Sequence, residues 1–191
     1  MALHRPPRPA EGGFTLVEMV VAAAVFSLVA ITVMGVLLTT ITTGEKVRTV
    51  TAAANQAQLV TRSLNAGISN AAVPPSLTAV GSDQLLRARV AGTGASIGWS
   101  CQAWYYSASE RTIRTTTSAT AIAQPNATQL AQWTLLASEV HPKAGSTTVF
   151  SLVGATGIAV AFTVDAGEAP DVVLESTFTS QSKVSGGSPC Y

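Results

Sequence analysis

Between Phe14 and Ile41 the chain carries a single charged residue, Glu18, and between Ala10 and Val73 it carries no proline. A run of about 20 apolar residues is enough to cross a bilayer as a helix. The stretch after Glu18, MVVAAAVFSLVAITVMGVLLTTI, reaches that length. Ser27, Thr32, Thr39 and Thr40 lie within or at the end of it. A helical hydroxyl can bond back to a carbonyl one turn earlier, so these residues are compatible with insertion. The thirteen residues before it, MALHRPPRPAEGG, cannot form a useful helix, because Pro6, Pro7 and Pro9 interrupt it. Arg5 and Arg8 would hold that end in the cytoplasm, leaving everything after Ile41 outside.

From Gly44 to Ala72 the helical pattern continues but becomes amphipathic. Val47, Val50, Ala54, Ala57, Leu64, Ile68 and Ala71 recur at three- and four-residue steps, with Thr61 in the gap. Glu45, Lys46, Arg48, Asn55, Gln58 and Arg62 take other positions. Joined to the apolar half, this predicts one helix of about 55 residues, roughly 85 Å at 1.5 Å per residue. Gly35 and Gly44 are candidate flexible points, and Pro74-Pro75 is expected to end the helix.

Thereafter short runs rich in Val, Thr and aromatics alternate with Gly, Pro and Asn. Expected strands are Gln84–Val90, Ile97–Tyr106, Arg111–Thr117, Trp133–Val140, Thr147–Leu152, Ile158–Val164 and Val172–Thr179, spaced as an antiparallel meander. The last two should pair as a hairpin across residues 165–170, and SKVSGGSPCY forms a Gly/Ser-rich tail. The fold class is α+β: a long N-terminal helix packed on an antiparallel β-sheet head. The divisions are a leader at 1–13, a transmembrane and polymerisation helix at 14–43, an amphipathic helix at 44–73 and an extracellular head with its tail at 74–191.

Only 11% of residues are charged, against roughly 25% in ordinary soluble proteins, which fits a chain living partly outside water. The net charge of +1 gives no basic footprint for nucleic acid. Cys101 and Cys190 are too far apart for a C-x-x-C redox or zinc motif. They are either two unrelated thiols or one disulfide; an extracellular head favours the disulfide. His4 and His141 are the only histidines, so no His-rich metal site can be built, and neither metal nor cofactor is expected.

The string before the apolar run is Gly12-Gly13-Phe14-Thr15-Leu16-Val17-Glu18. It resembles the N-terminal processing and methylation motif of type IV pilins and of the pseudopilins of type II secretion and DNA uptake. The resemblance implies that a membrane aspartyl peptidase cuts after Gly13 and methylates the new N-terminus, Phe14. It also implies partners: other pilin-like subunits, the prepilin peptidase and an inner-membrane assembly platform. The implied localisation is the cytoplasmic membrane, single-pass with the head outside, then a filament or the cell surface. The strand pattern, with Ala103-Trp104-Tyr105-Tyr106 and the closing hairpin, resembles the larger J- or W-type minor subunits.

Gly13 lacks a side chain, so the backbone can enter a narrow protease cleft in extended form. A lone carboxylate beside lipid costs several kcal/mol and is normally paired or functional. If Phe14 becomes the N-terminus, its amine can neutralise the Glu18 carboxylate of a neighbouring subunit, setting register between otherwise non-directional helices. Two plainer readings stand beside this. Glu18 could sit at the water interface of a signal-anchor. Alternatively, Ala22-Ala23-Ala24 could be a secretory cleavage site, although the apolar stretch continues well past it.

Two other function classes compete with this one. For an enzyme, residues 94–98 match G-x-S-x-G around Ser96, and Glu110 and His141 follow in hydrolase order. That elbow must join a strand to a helix, whereas here a strand is expected to follow, so no catalytic residues are assigned. For an adhesion or DNA-binding module, Trp99, Trp104, Tyr105, Tyr106 and Trp133, with Arg87, Arg89, Arg111 and Arg114, would supply an aromatic and basic surface. Such residues more often divide between core and solvated face. Asn126-Ala127-Thr128 also fits the N-glycosylation pattern.

Overall fold

A proline-free stretch with a threonine at its head has the makings of a helix, and the first element is α1, Leu16–Ser69. The computed structural model describes residues 15–91, 98–182 and 190. These fall into two units, one up to Glu45 and one from Lys46 onward, with α1 contributing to both.

In the first unit, every described residue of α1 is exposed, including Leu16 at 80% and Phe26 at 74%. Ser27 donates to the carbonyl of Ala23, Thr32 to Val29, Thr39 to Gly35 and Thr40 to Val36, at 2.8–3.0 Å. The hydroxyls are thus satisfied within the helix, as an apolar environment demands.

In the second unit, the remainder of α1 buries Ala53, Ala57, Val60, Leu64, Gly67 and Ile68. This face is rotated from the stripe read in the sequence: Val47 is 59% exposed, and Val50 and Ala54 are only half-buried. Small residues lie on the buried line because the helix backbone comes close to the sheet, which periodicity of large apolar residues does not register.

The helix also stops earlier than expected, at Ser69 rather than at Pro74-Pro75. The Asn70 side chain donates to the Ala66 carbonyl, and the Ser69 carbonyl accepts from the amide of Gln181. Both prolines belong to β1, Ala71–Val80, which the sequence reading did not foresee. A proline cannot donate to a ladder. β1 accommodates the pair because it is an edge strand and bulges between Ala72 and Ser76.

β2 (Asp83–Ala91), β3 (Trp99–Ser107), β4 (Thr112–Ser118) and β5 (Thr134–Ala137) complete an antiparallel five-stranded meander in the order β1-β2-β3-β4-β5. Between β4 and β5 lies a short helix, α2, Ala127–Ala131. The single strand expected over Trp133–Val140 is divided into β5 and β6 (Val140–Pro142), which belong to different sheets. Glu139 adopts φ 54° at the break, and the Ser138 amide donates 2.8 Å to Gln56 Oε1 of α1. A left-handed residue cannot continue an extended strand. In the second sheet, β8 (Gly157–Val164) pairs antiparallel with β6, β7 (Phe150–Val153) and β9 (Val172–Thr179). The α+β class is observed.

Strand alternation gives the five-stranded sheet two different faces. Leu86, Ala88, Trp104, Tyr106 and Ile113 join the buried face of α1 and Phe150, Ile158, Val160, Phe162 and Val164 of the second sheet in the main core. Leu85, Cys101, Ala103 and Tyr105 point the other way, into a smaller core closed by Ile122, Leu130 and Cys190.

Candidate functional site

Gly13 and Phe14 lie outside the described residues. Immediately after them the helix start is built from two positions. Thr15 Oγ1 accepts the Glu18 amide at 3.3 Å, and the Thr15 carbonyl accepts the Met19 amide at 3.2 Å. Thr15 is therefore the N-cap and Glu18 the third helical residue, the spacing of a capping box. A carboxylate in the first turn also complements the helix dipole. Among the described residues Glu18 forms no salt bridge. The apolar window that follows has a mean hydropathy of 2.6 and none of it is buried, so α1 is long and apolar enough to cross a membrane.

In the head, Cys101 of β3 and Cys190 are joined by a disulfide, with Cα atoms 5.5 Å apart. The Ile122 amide donates to the Cys190 carbonyl at 3.0 Å, so Cys190 helps close the outer face of the five-stranded sheet. Two arginines of that face hold backbone: Arg87 donates to the Ile122 carbonyl and Arg114 to the Trp133 carbonyl, both at 3.1 Å.

The remaining sequence candidates are dispersed. Trp104 and Tyr106 are in the main core, while Trp99 lies under Arg89 with 4.5 Å from Cζ to the ring centroid. Arg111 pairs with Glu139 at 2.8 Å. The Tyr105 hydroxyl donates 2.8 Å to Asp83, whose other oxygen accepts the Ala108 amide. Burial first, then this hydrogen bond and the Asp83 and Glu110 charges, push the Tyr105 hydroxyl up to about 12. Burial and the Asp83 charge raise Tyr106 as well. Trp104 and Tyr106 thus serve the main core, while Arg87, Arg89, Trp99, Tyr105, Arg114 and Trp133 lie on the outer side of the sheet, where Arg87 and Arg114 are engaged in holding backbone.

Ser96 and the rest of its motif up to Ile97 lie outside the described residues. Glu110 approaches Arg114 at 3.9 Å, and His141 is on β6. Asn126 is the N-cap of α2 in a reciprocal capping box with Gln129. Asp165 and Asp171 accept the Gly167 and Ala166 amides across the β8–β9 turn. Tertiary pairing also creates a group invisible in the sequence: Glu139, His141 and Asp165 each offer a ligand atom within 4.8 Å of the others. Missed too was Gln84, a buried polar residue whose bonds to Val149 and Phe150 tie the first sheet to β7. Its only sequence signal is a polar residue at an inward-facing position of a strand.

No curated protein and no solved structure matches this chain. Residues 8–34 match the family model described as the prokaryotic N-terminal methylation motif. That segment contains Gly13, Phe14, the Thr15 cap, Glu18 and the first turns of the exposed apolar helix. The chain carries the prokaryotic N-terminal methylation motif, and that motif supports a type IV pilin-like protein.

Proposed function

We propose that the chain is a minor pilin or pseudopilin subunit that assembles through its N-terminal helix into a surface filament or a secretion or DNA-uptake pseudopilus. A prepilin peptidase removes residues 1–13 and methylates Phe14. Residues 14–43 hold the subunit in the cytoplasmic membrane, the face of α1 from Ala53 to Ile68 packs on the head, and the strands from Ala71 onward form the head outside. An assembly platform then transfers the helix from lipid into contact with other pilin-like subunits. The observation that carries this reading is the methylation motif placed against a helix with no buried residue over its apolar window. A helix so exposed needs either lipid or neighbouring helices around it.

Within such a filament Glu18 meets the amine of Phe14 from a neighbour in a low-dielectric core. Removing one member of a buried ion pair costs about 3–5 kcal/mol, whereas removing a carboxylate beside lipid relieves a cost. Glu18→Gln therefore yields processed, membrane-held protein that enters filaments poorly. The test compares membrane and sheared-filament fractions from cells carrying each form, with N-terminal mass analysis of both. The mature protein starts at a monomethylated Phe14. A start near Ala24 sinks the reading. Glu18→Gln protein reaching filaments at wild-type levels removes the assembly role of Glu18, except for a subunit at the extreme tip, which has no subunit above it to accept.

A further inference from the structure

β4 pairs with β5 only as far as Thr115, opposite Thr134. Beyond that point, its Thr116–Ser118 edge and the segment 121–133 flank an open cleft of about 380 Å³. That is within the range of small-ligand sites, about 300–1,000 Å³. Thr116, Ser118, Gln129 and Gln132 supply its polar lining, with Ile122 and Trp133 among the apolar wall residues.

We infer that this cleft is a binding site for a neutral saccharide of mono- or disaccharide size. Its walls are held in place before any ligand arrives. Arg87 and Arg114 bond the carbonyls of Ile122 and Trp133. Ile122 is tied to Cys190 and so to the disulfide, and the capping box fixes Gln129. The Trp133 ring meets Tyr105 edge-on, with centroids 6.3 Å apart and planes at 85°. Prefixed walls lower the ordering cost of binding.

The chemistry selects the ligand. Amides and hydroxyls both donate and accept, as a ring of sugar hydroxyls requires, and an aromatic wall suits the apolar face of a pyranose. No charged side chain lines the cleft among the described residues. Phosphate and carboxylate ligands call for charge-assisted donors, so a nucleic acid is disfavoured. A peptide adding as a strand would find only the short edge Thr116–Ser118. This inference does not depend on filament assembly.

The test uses the full chain in a zwitterionic detergent without a sugar headgroup. Calorimetric titrations with maltose, cellobiose, lactose and diacetylchitobiose are compared with oligothymidylate and a neutral Gly-Ser-Thr peptide. At least one disaccharide binds saturably, and Gln132→Ala or Thr116→Val weakens it by about tenfold, the effect of losing one well-made hydrogen bond. The exposed Gln132 side chain leaves the melting temperature unchanged, which separates this loss from unfolding. The inference is overturned if none of the disaccharides binds or if both variants bind as wild type. Preference for the oligonucleotide or the peptide overturns it equally.

Discussion

Gly67 of α1 lies against the indole of Trp104: a Cβ at position 67 would stand 2.3 Å from Cη2 and 2.5 Å from Cζ2. Trp104 cannot retreat easily, since it is fully buried and its Nε1 donates 2.8 Å to Ser63 Oγ, one turn earlier on the same helix. Gly67→Val should therefore lower head stability by about 3 kcal/mol, at the upper end of overpacking costs. Gly67→Ala gains about 1 kcal/mol in helix propensity against the same clash and should be the milder variant. Denaturant unfolding of the two variants, followed by tryptophan fluorescence, checks the order.

Gln84 is 6% exposed and joins the sheets through three bonds. Its Oε1 accepts the amides of Val149 and Phe150 at 2.7 and 2.9 Å, and its Nε2 donates to the Phe150 carbonyl at 2.8 Å. Gln84→Leu keeps the volume but strands buried backbone groups, each costing about 1–3 kcal/mol. We expect a lowered melting temperature and faster hydrogen exchange at Val149 and Phe150, measured by NMR. Unchanged exchange there would mean that the bridge does not hold β7.

The disulfide closes a loop with a sequence separation of 89. By chain entropy such a link stabilises by up to about 4–5 kcal/mol. Cys101→Ser with Cys190→Ser should reduce stability by a comparable amount and release the segment around Ile122 first, because that segment bonds to Cys190. Limited proteolysis between β4 and β5, compared with cleavage elsewhere in the head, distinguishes local release from general loosening.

Tyr105, 5% exposed, has its ionisation pushed up to about 12 from an ordinary 10. A raised folded-state value means that the stabilisation is complete below pH about 10 and disappears as pH climbs towards about 12. Head stability should fall across that window. Tyr105→Phe should flatten the slope without abolishing it, because Tyr106 is raised in the same direction. Melting temperatures of both forms between pH 9 and pH 12 provide the check; parallel curves would remove Tyr105 from the explanation.

The helix, its apolar half and six of the strands were legible in the sequence because their signals are local. A charge-free, proline-free run allows little but helix, and alternating Val, Thr and aromatic residues mark β2, β3, β4, β7, β8 and β9. The methylation motif was legible for the same reason, since its residues are contiguous from Gly13 to Glu18. What stayed hidden depended on partners distant in the chain. Pro74-Pro75 reads as a helix stop by local rules, yet it fits β1 because that strand lies at an edge and can bulge. Glu139 sits in a run that looks like one strand, and only the two sheets competing for that run force the left-handed break. Gly67 becomes a contact residue because Trp104 arrives from 37 positions later in sequence. The amino-acid order thus determined the helix, the strand-rich head and the family motif, each encoded in neighbouring residues. Tertiary structure alone decided which helix face is buried, where strands change sheets and how the cleft beside β4 is walled, because those outcomes are set by long-range packing.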